Sequence, residues 1–242
     1  MCGRTTSTVS RDVLANILHV DEVLAEELPA RWNVAPTQPV YGAVTSKSGQ
    51  RVLRSFRWGL VPHWAKDLRA GARMINARAE TLAQRPAYRE AIMTRRVLLP
   101  FSGFYEWRKR EADKALPAQP FYFHSPSGTP LVFAGLWDVW RDAEGRRTET
   151  CTIITTEANK TMASVHHRMP AILPEEVWNE WIRRGQLSSA RLQELLAPAG
   201  EDLLVAHRVG LGVNDVRNDF PGLVAPRDKP ATAVGHELAG AG

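Results

Sequence analysis

The chain has 242 residues, 44% of them apolar and 24% charged, which is enough to bury a core and ordinary for a globular protein. Its net charge of +5 admits an anionic partner, whereas the lack of any apolar run near ~20 residues argues against a membrane span. Only two cysteines, Cys2 and Cys151, and no Cys/His set with zinc spacing leave a disulfide framework, a metal and a cofactor all unexpected.

The N-terminus, MCGRTTSTVSRD, has no apolar signal core, so the expected location is cytoplasmic. A first helix is expected from Arg11 to His19, with Ser10 as N-cap and Val13, Leu14, Ile17 and Leu18 as its apolar stripe. ARWNVAPTQPV is rich in turn formers and reads as a loop leading into a strand. Arg51 to Gly59 reads as extended, and the segment from Trp58 to Thr81 as a long irregular region of the kind that often carries function. A helix is predicted from Pro86, with Arg95 and Arg96 at its C-terminal end.

Strands are predicted at Val97–Pro100, Gly103–Arg108, Pro120–His124, Leu131–Trp140 and Thr150–Thr155, with SPSGTP as a hairpin turn between the third and fourth. Ala158–Ser164 reads as a short helix, Pro174–Arg184 as a clearer one, and Leu192, Leu195 and Leu196 mark another. Leu203–Val209 reads as a last strand, and residues 225–242, rich in Ala, Gly and Pro, as a mobile tail. The order of elements predicts one α+β domain over residues 2–224, a mostly antiparallel, barrel-like core with helices around it. Nothing in it demands more than a monomer.

Four segments carry chemistry. Once Met1 is removed, Cys2 would hold an α-amine and a thiol on adjacent carbons, with reference pKa values of about 7.7–8.0 and 8.5. Such a pair can convert an aldehyde to an imine and then close a thiazolidine, although a cysteine near a frayed end can also be incidental. MINARAET offers Asn76, Arg78 and Glu80: Asn orients a reacting group and Arg clamps a phosphate, or the octet is a polar turn. Glu106 in SGFYEW lies between Tyr105 and Trp107. Buried there it would suit acid–base work; the alternation equally permits it to face water. SVHHRMPAIL holds His166 and His167, which in a strand would point to opposite faces, so that one at most would serve a site.

MCGR, RWNVAPTQ, WGLVPHWAKD, INARAET, RPAYREA, LLPFSGFYEW, FAGLW, TIITTEAN, HHRMPAIL and VNDVRND occur in this one order, from Cys2 to about residue 224. Together they resemble the SRAP family, the SOS-response-associated peptidase-like proteins that shield abasic sites. The resemblance implies a mixed α/β domain with a basic groove for single-stranded DNA. It also implies a Cys2 nucleophile that crosslinks the ring-opened abasic aldehyde as a thiazolidine. By motif position it implies Asn76 and Arg78 near the sugar and its phosphate, Glu106 as acid–base residue, and His166 rather than His167 as its companion. Arg4, Trp64 and Arg85 match DNA-contact positions. Two other readings stay open: a thiol peptidase, or autopeptidase, with Cys2 as nucleophile and His166 as base, and a non-catalytic single-stranded DNA-binding module whose tryptophans stack on bases.

Overall fold

The computed structural model describes residues 2–109 and 116–227. Among these, the strands are β1 (Thr5–Ser7), β2 (Glu22–Val23), β3 (Arg31–Val34), β4 (Pro39–Thr45), β5 (Arg51–Trp58), β6 (Asn76–Arg78), β7 (Arg96–Phe101), β8 (Gly103–Arg108), β9 (Gln119–His124), β10 (Leu131–Arg141), β11 (Arg147–Glu157), β12 (Arg168–Pro170) and β13 (Val205–Arg208). The helices are short: α1 (Arg11–Ile17), α2 (Pro86–Arg89), α3 (Ala91–Thr94), α4 (Lys160–Ala163), α5 (Trp178–Ile182) and α6 (Ser189–Leu195).

Five of the strands close on themselves. The order β11–β10–β7–β4–β5 is antiparallel throughout, and β5 returns to β11 through parallel pairing of Arg57 with Thr150 and Trp58 with Cys151. The sequence permits this because its strands are apolar on both faces. Successive side chains go alternately to two clusters: Val97, Leu99 and Phe101 to one, Leu98 to the other. The first cluster fills the ring. Phe56 meets Trp137 at 5.7 Å and Trp58 meets Phe101 at 6.4 Å, each pair on strands that are not neighbours. Gly42 has no room for a side chain there, since a Cβ would lie 2.7 Å from Val97. The second cluster faces outward, under α1, α3, α5 and α6.

A second sheet, β13–β9–β8–β1–β3, packs against one end of the ring. Phe104 stacks on Phe123 at 5.1 Å and meets Phe133 of β10 edge-on at 5.7 Å, which joins the two sheets. β1 lies in the middle of this sheet, with Thr5 opposite both Val34 and Phe104. The N-terminus is thereby threaded into the core. Cys2 therefore does not lie at a frayed end.

Other expectations change in detail. ARWNV is not a loop, for β3 covers its last four residues. SPSGTP is not a hairpin turn, since β9 pairs with β8 and β13 whereas β10 pairs with β7 and β11. The helix from Pro86 breaks into α2 and α3, and Arg96 opens β7 instead of ending a helix. α1 stops at Ile17, and Ser10 sits at the N-cap without a side-chain cap bond. Pro174–Arg184 is a 3-10 turn at Glu175–Val177 followed by α5. Asn159 caps α4 by accepting from the Met162 amide. Beyond Arg227 the expected tail lies outside the described residues, as does Met1. Among the described residues, no helix is long and apolar enough to cross a membrane.

Candidate functional site

The site forms where the N-terminus, β6, β8 and the turn before β12 meet at the end of the ring. Cys2 is 1% exposed and packs in the same apolar cluster as Val34, Ile153, Met162 and Val165. Burial pushes its thiol well above the ordinary range, and the charge of Glu106 pushes it further, while the Arg4 backbone acts in the opposite sense. A buried thiol beside a carboxylate keeps its proton.

β6 brings the second participant. It lies parallel along β11, with Asn76 opposite Ile153 and Arg78 opposite Thr155. Strand alternation sends Ala77 into the core and sets Asn76 and Arg78 on the other face. Asn76 Nδ2 donates to the carbonyl oxygen of Cys2 at 2.7 Å. Its Oδ1 is buried and has no hydrogen-bond partner among the described residues. Arg78, two residues on, is exposed.

β8 supplies Glu106, which is 4% exposed, so the open choice between core and water falls to the core. Its Oε2 accepts from the Trp107 amide at 3.3 Å, and its Oε1 lies 4.0 Å from His166 Nδ1. Burial lowers the pKa of His166 below its ordinary value, and the Glu106 charge opposes that shift. The Arg168 amide donates to His166 Nδ1 at 3.0 Å. The Arg168 carbonyl lies 3.2 Å from the same nitrogen, so the Arg168 backbone orients the ring through both of its polar groups. Glu106 and His166 therefore stand as an acid–base pair beside a protonated thiol.

The two histidines do not point apart. They lie in the turn ahead of β12, and their rings stack at 4.4 Å with 27° between planes. The expectation of opposite faces assumed a strand, and only the residues after His167 form one. His166 is half-buried and His167 exposed.

The expected DNA contacts differ in character. Arg78 and Arg85 are exposed, Arg85 at the N-cap of α2. Arg4 is held by the protein: Nη1 donates to Asn33 Oδ1 at 2.7 Å and to the Val213 carbonyl at 2.8 Å, and the guanidinium lies 5.9 Å over the Trp107 ring. Trp64 is 60% exposed. Its loop is bolted to the β10–β11 hairpin: the His63 amide donates to Asp138 at 3.1 Å, the Val61 amide to Thr150 at 2.8 Å, and Trp140 Nε1 to the Ala65 carbonyl at 2.7 Å. Thr150 is five residues from Thr155 along β11, roughly 17 Å of extended strand. The Thr150 that anchors this loop and the Thr155 that faces Arg78 thus lie on one strand.

Two participants escaped the sequence reading. Arg168 is buried and grips Glu80 with both arms of its guanidinium, at 2.7 and 3.0 Å. Asn33 is fully buried and positions Arg4. The signal was present in RMP and RWN, but neither residue type announces a buried role by itself.

Comparison with known proteins gives the family and the fold. The family described as SOS response associated peptidase (SRAP) matches residues 1–216. The chain is similar to the "Abasic site processing protein YoqW" of Bacillus subtilis, at 38% identity over 225 residues, covering 93% of this chain and 99% of that one. It is also similar to the "Abasic site processing protein HMCES" of Xenopus tropicalis, at 30% identity, covering 93% and 78%. A crystal structure of a protein from Bacteroides thetaiotaomicron superimposes with a TM-score of 0.80 at 26% identity, covering 93% of this chain and all of that one.

Proposed function

This chain belongs to the SRAP family, and from that membership we propose that it captures abasic sites in single-stranded DNA covalently through Cys2. The observation that carries the reading is the enclosure of Cys2. Its carbonyl is held by Asn76, and its thiol lies in the field of Glu106, itself paired with His166.

With Met1 removed, the Cys2 amine attacks the aldehyde of the ring-opened sugar. A carbinolamine forms, then loses water to give an imine. Glu106 and His166 exchange the protons of these steps, with neutral His166 accepting and returning one. The Cys2 sulfur then bonds to the imine carbon, and its proton passes to the nitrogen, which closes the thiazolidine. The thiol enters as S–H, as its raised pKa requires. A thiol peptidase needs a thiolate, and the apolar surroundings of Cys2 work against one. Arg78 and Arg85 would hold flanking phosphates, Trp64 would stack on a base, and the buried Oδ1 of Asn76 is left to accept from a group the substrate brings. Water adding to the imine would return the aldehyde and the free amine, whereas β-elimination from it would expel the 3′ phosphate and break the strand, as a lyase does.

The test is to incubate the protein with a single-stranded oligonucleotide bearing one abasic site. A band that resists denaturation, whose mass is that of the DNA plus the protein without Met1, is expected. It should be absent with intact DNA and with Cys2→Ala. No band from folded protein lacking Met1 overturns the reading.

A further inference from the structure

The Arg168–Glu80 pair links the two halves of the site. β6 and β12 both run beside the end of β11: Arg78 lies opposite Thr155, and Arg168 opposite Glu157. Glu80 follows β6 in a 3-10 turn and is half exposed. Arg168 opens β12 and is buried. Its guanidinium makes the two bonds to Glu80 and a third to the Thr155 carbonyl at 2.6 Å. A planar fork with both arms engaged has little freedom left, so the pair fixes geometry as well as charge. The Arg168 bond holds Glu80 below the ordinary carboxylate range.

We propose that Glu80 is a positioning residue for the covalent chemistry. It holds Arg168, whose backbone orients the ring of His166, in register with the strand from which Asn76 holds Cys2. Glu80 is four positions after Asn76 and Arg168 two after His166, so the ion pair joins the segment that carries Asn76 to the turn that carries His166. Glu80 itself needs no contact with DNA. The proposal rests on the capture of abasic sites by Cys2.

Glu80→Gln tests it, because the shape is kept and the charge is lost at a half-exposed position. Crosslinking at saturating abasic DNA should slow by roughly tenfold or more, with the affinity for an intact strand within about twofold and the acid limb of the pH–rate profile displaced. Glu80→Asp should recover part of the rate. Arg168→Lys, which keeps the charge and loses the fork, should be slow like Glu80→Gln. Nitrogen-15 shifts of the His166 ring give a readout that needs no activity: Glu80→Gln should change the distribution of the proton between the two ring nitrogens relative to wild type. A wild-type rate, profile and tautomer in Glu80→Gln overturn the proposal. So does a loss confined to DNA affinity. A wild-type protein that forms no crosslink fails the functional reading instead, and the tautomer comparison still decides the role of Glu80.

Discussion

Asn76 Nδ2 donates to the carbonyl oxygen of Cys2 at 2.7 Å, joining residues 74 positions apart in the chain. The bond fixes the peptide plane that follows Cys2 and leaves the other side of the residue, where the amine emerges, to turn toward a substrate. Asn76 is thereby tied to the nucleophile, and through β6 its orientation is shared with Arg78.

Cys2→Ala keeps the amine and loses the sulfur. It should form an imine with abasic DNA but no thiazolidine. The expected result is a crosslink seen only after borohydride reduction, against a heat-stable one in wild type. A heat-stable adduct from Cys2→Ala, measured on a denaturing gel, would sink the ring-closure step.

His166 is held below its ordinary pKa by burial, so it stays neutral to lower pH than an exposed histidine, whose reference is about 6.5. Crosslinking should persist somewhat below that pH and then fall as the ring protonates. His166→Ala should abolish this limb and slow the reaction about 10²-fold or more. The same shift bears on folding. The unfolded chain binds the proton first, so stability is full above about 6.5 and declines as pH falls toward the lowered value. Single-turnover rates and urea midpoints across pH check the two halves separately.

Arg78 and Trp64 should separate by salt. Arg78→Ala removes a phosphate contact, and the slope of log affinity against log salt should fall by about 0.7 for a single strand. Trp64→Ala removes stacking, which is worth roughly 1–3 kcal/mol per base, and should leave the slope unchanged. Fluorescence anisotropy titrations at several salt concentrations distinguish them. Equal slopes for Arg78→Ala and wild type would remove Arg78 from the phosphate track.

Arg96 is a buried cation over the Trp181 ring whose hydrogen bonds among the described residues go to carbonyls, those of Ile92, Met93, Trp181, Arg183 and Gly185, around α3 and α5. Desolvation lowers its pKa to about 10, still well above neutrality. Arg96→Met would fill much of the space but orphan these acceptors, and a loss of about 3 kcal/mol is expected. Denaturant unfolding measures it; a loss below about 1 kcal/mol would mean that water replaces the guanidinium.

The long strands were legible because their evidence is local. β10 is apolar over most of its length and β11 is rich in Thr and Ile, and such β-branched and aromatic residues specify extended structure whatever they pair with. β1 and β3 were not, since three or four residues such as Thr5–Ser7 contain no period to read, and only the pairing of β1 with β8 and with β3 makes them strands. The helix after Pro86 was overextended for the opposite reason. Arg95 and Arg96 suit a helix end, but Arg96 opens β7, and from there its guanidinium satisfies five carbonyls around α3 and α5.

By itself the sequence determined which functional groups exist and their order along the chain: a cysteine after the initiator, an amide and an arginine two residues apart, a glutamate among aromatics, and a histidine two places before an arginine. Periodicity added the faces that a long strand presents. The tertiary structure alone decided that Glu106 is buried, that His166 and His167 stack, that Arg4 is occupied by Asn33, and that Glu80 and Arg168 clasp across the end of β11. The reason is physical. Burial, ion pairing and the setting of a proton depend on groups brought close by the closure of the ring, whereas sequence patterns act over only a few residues.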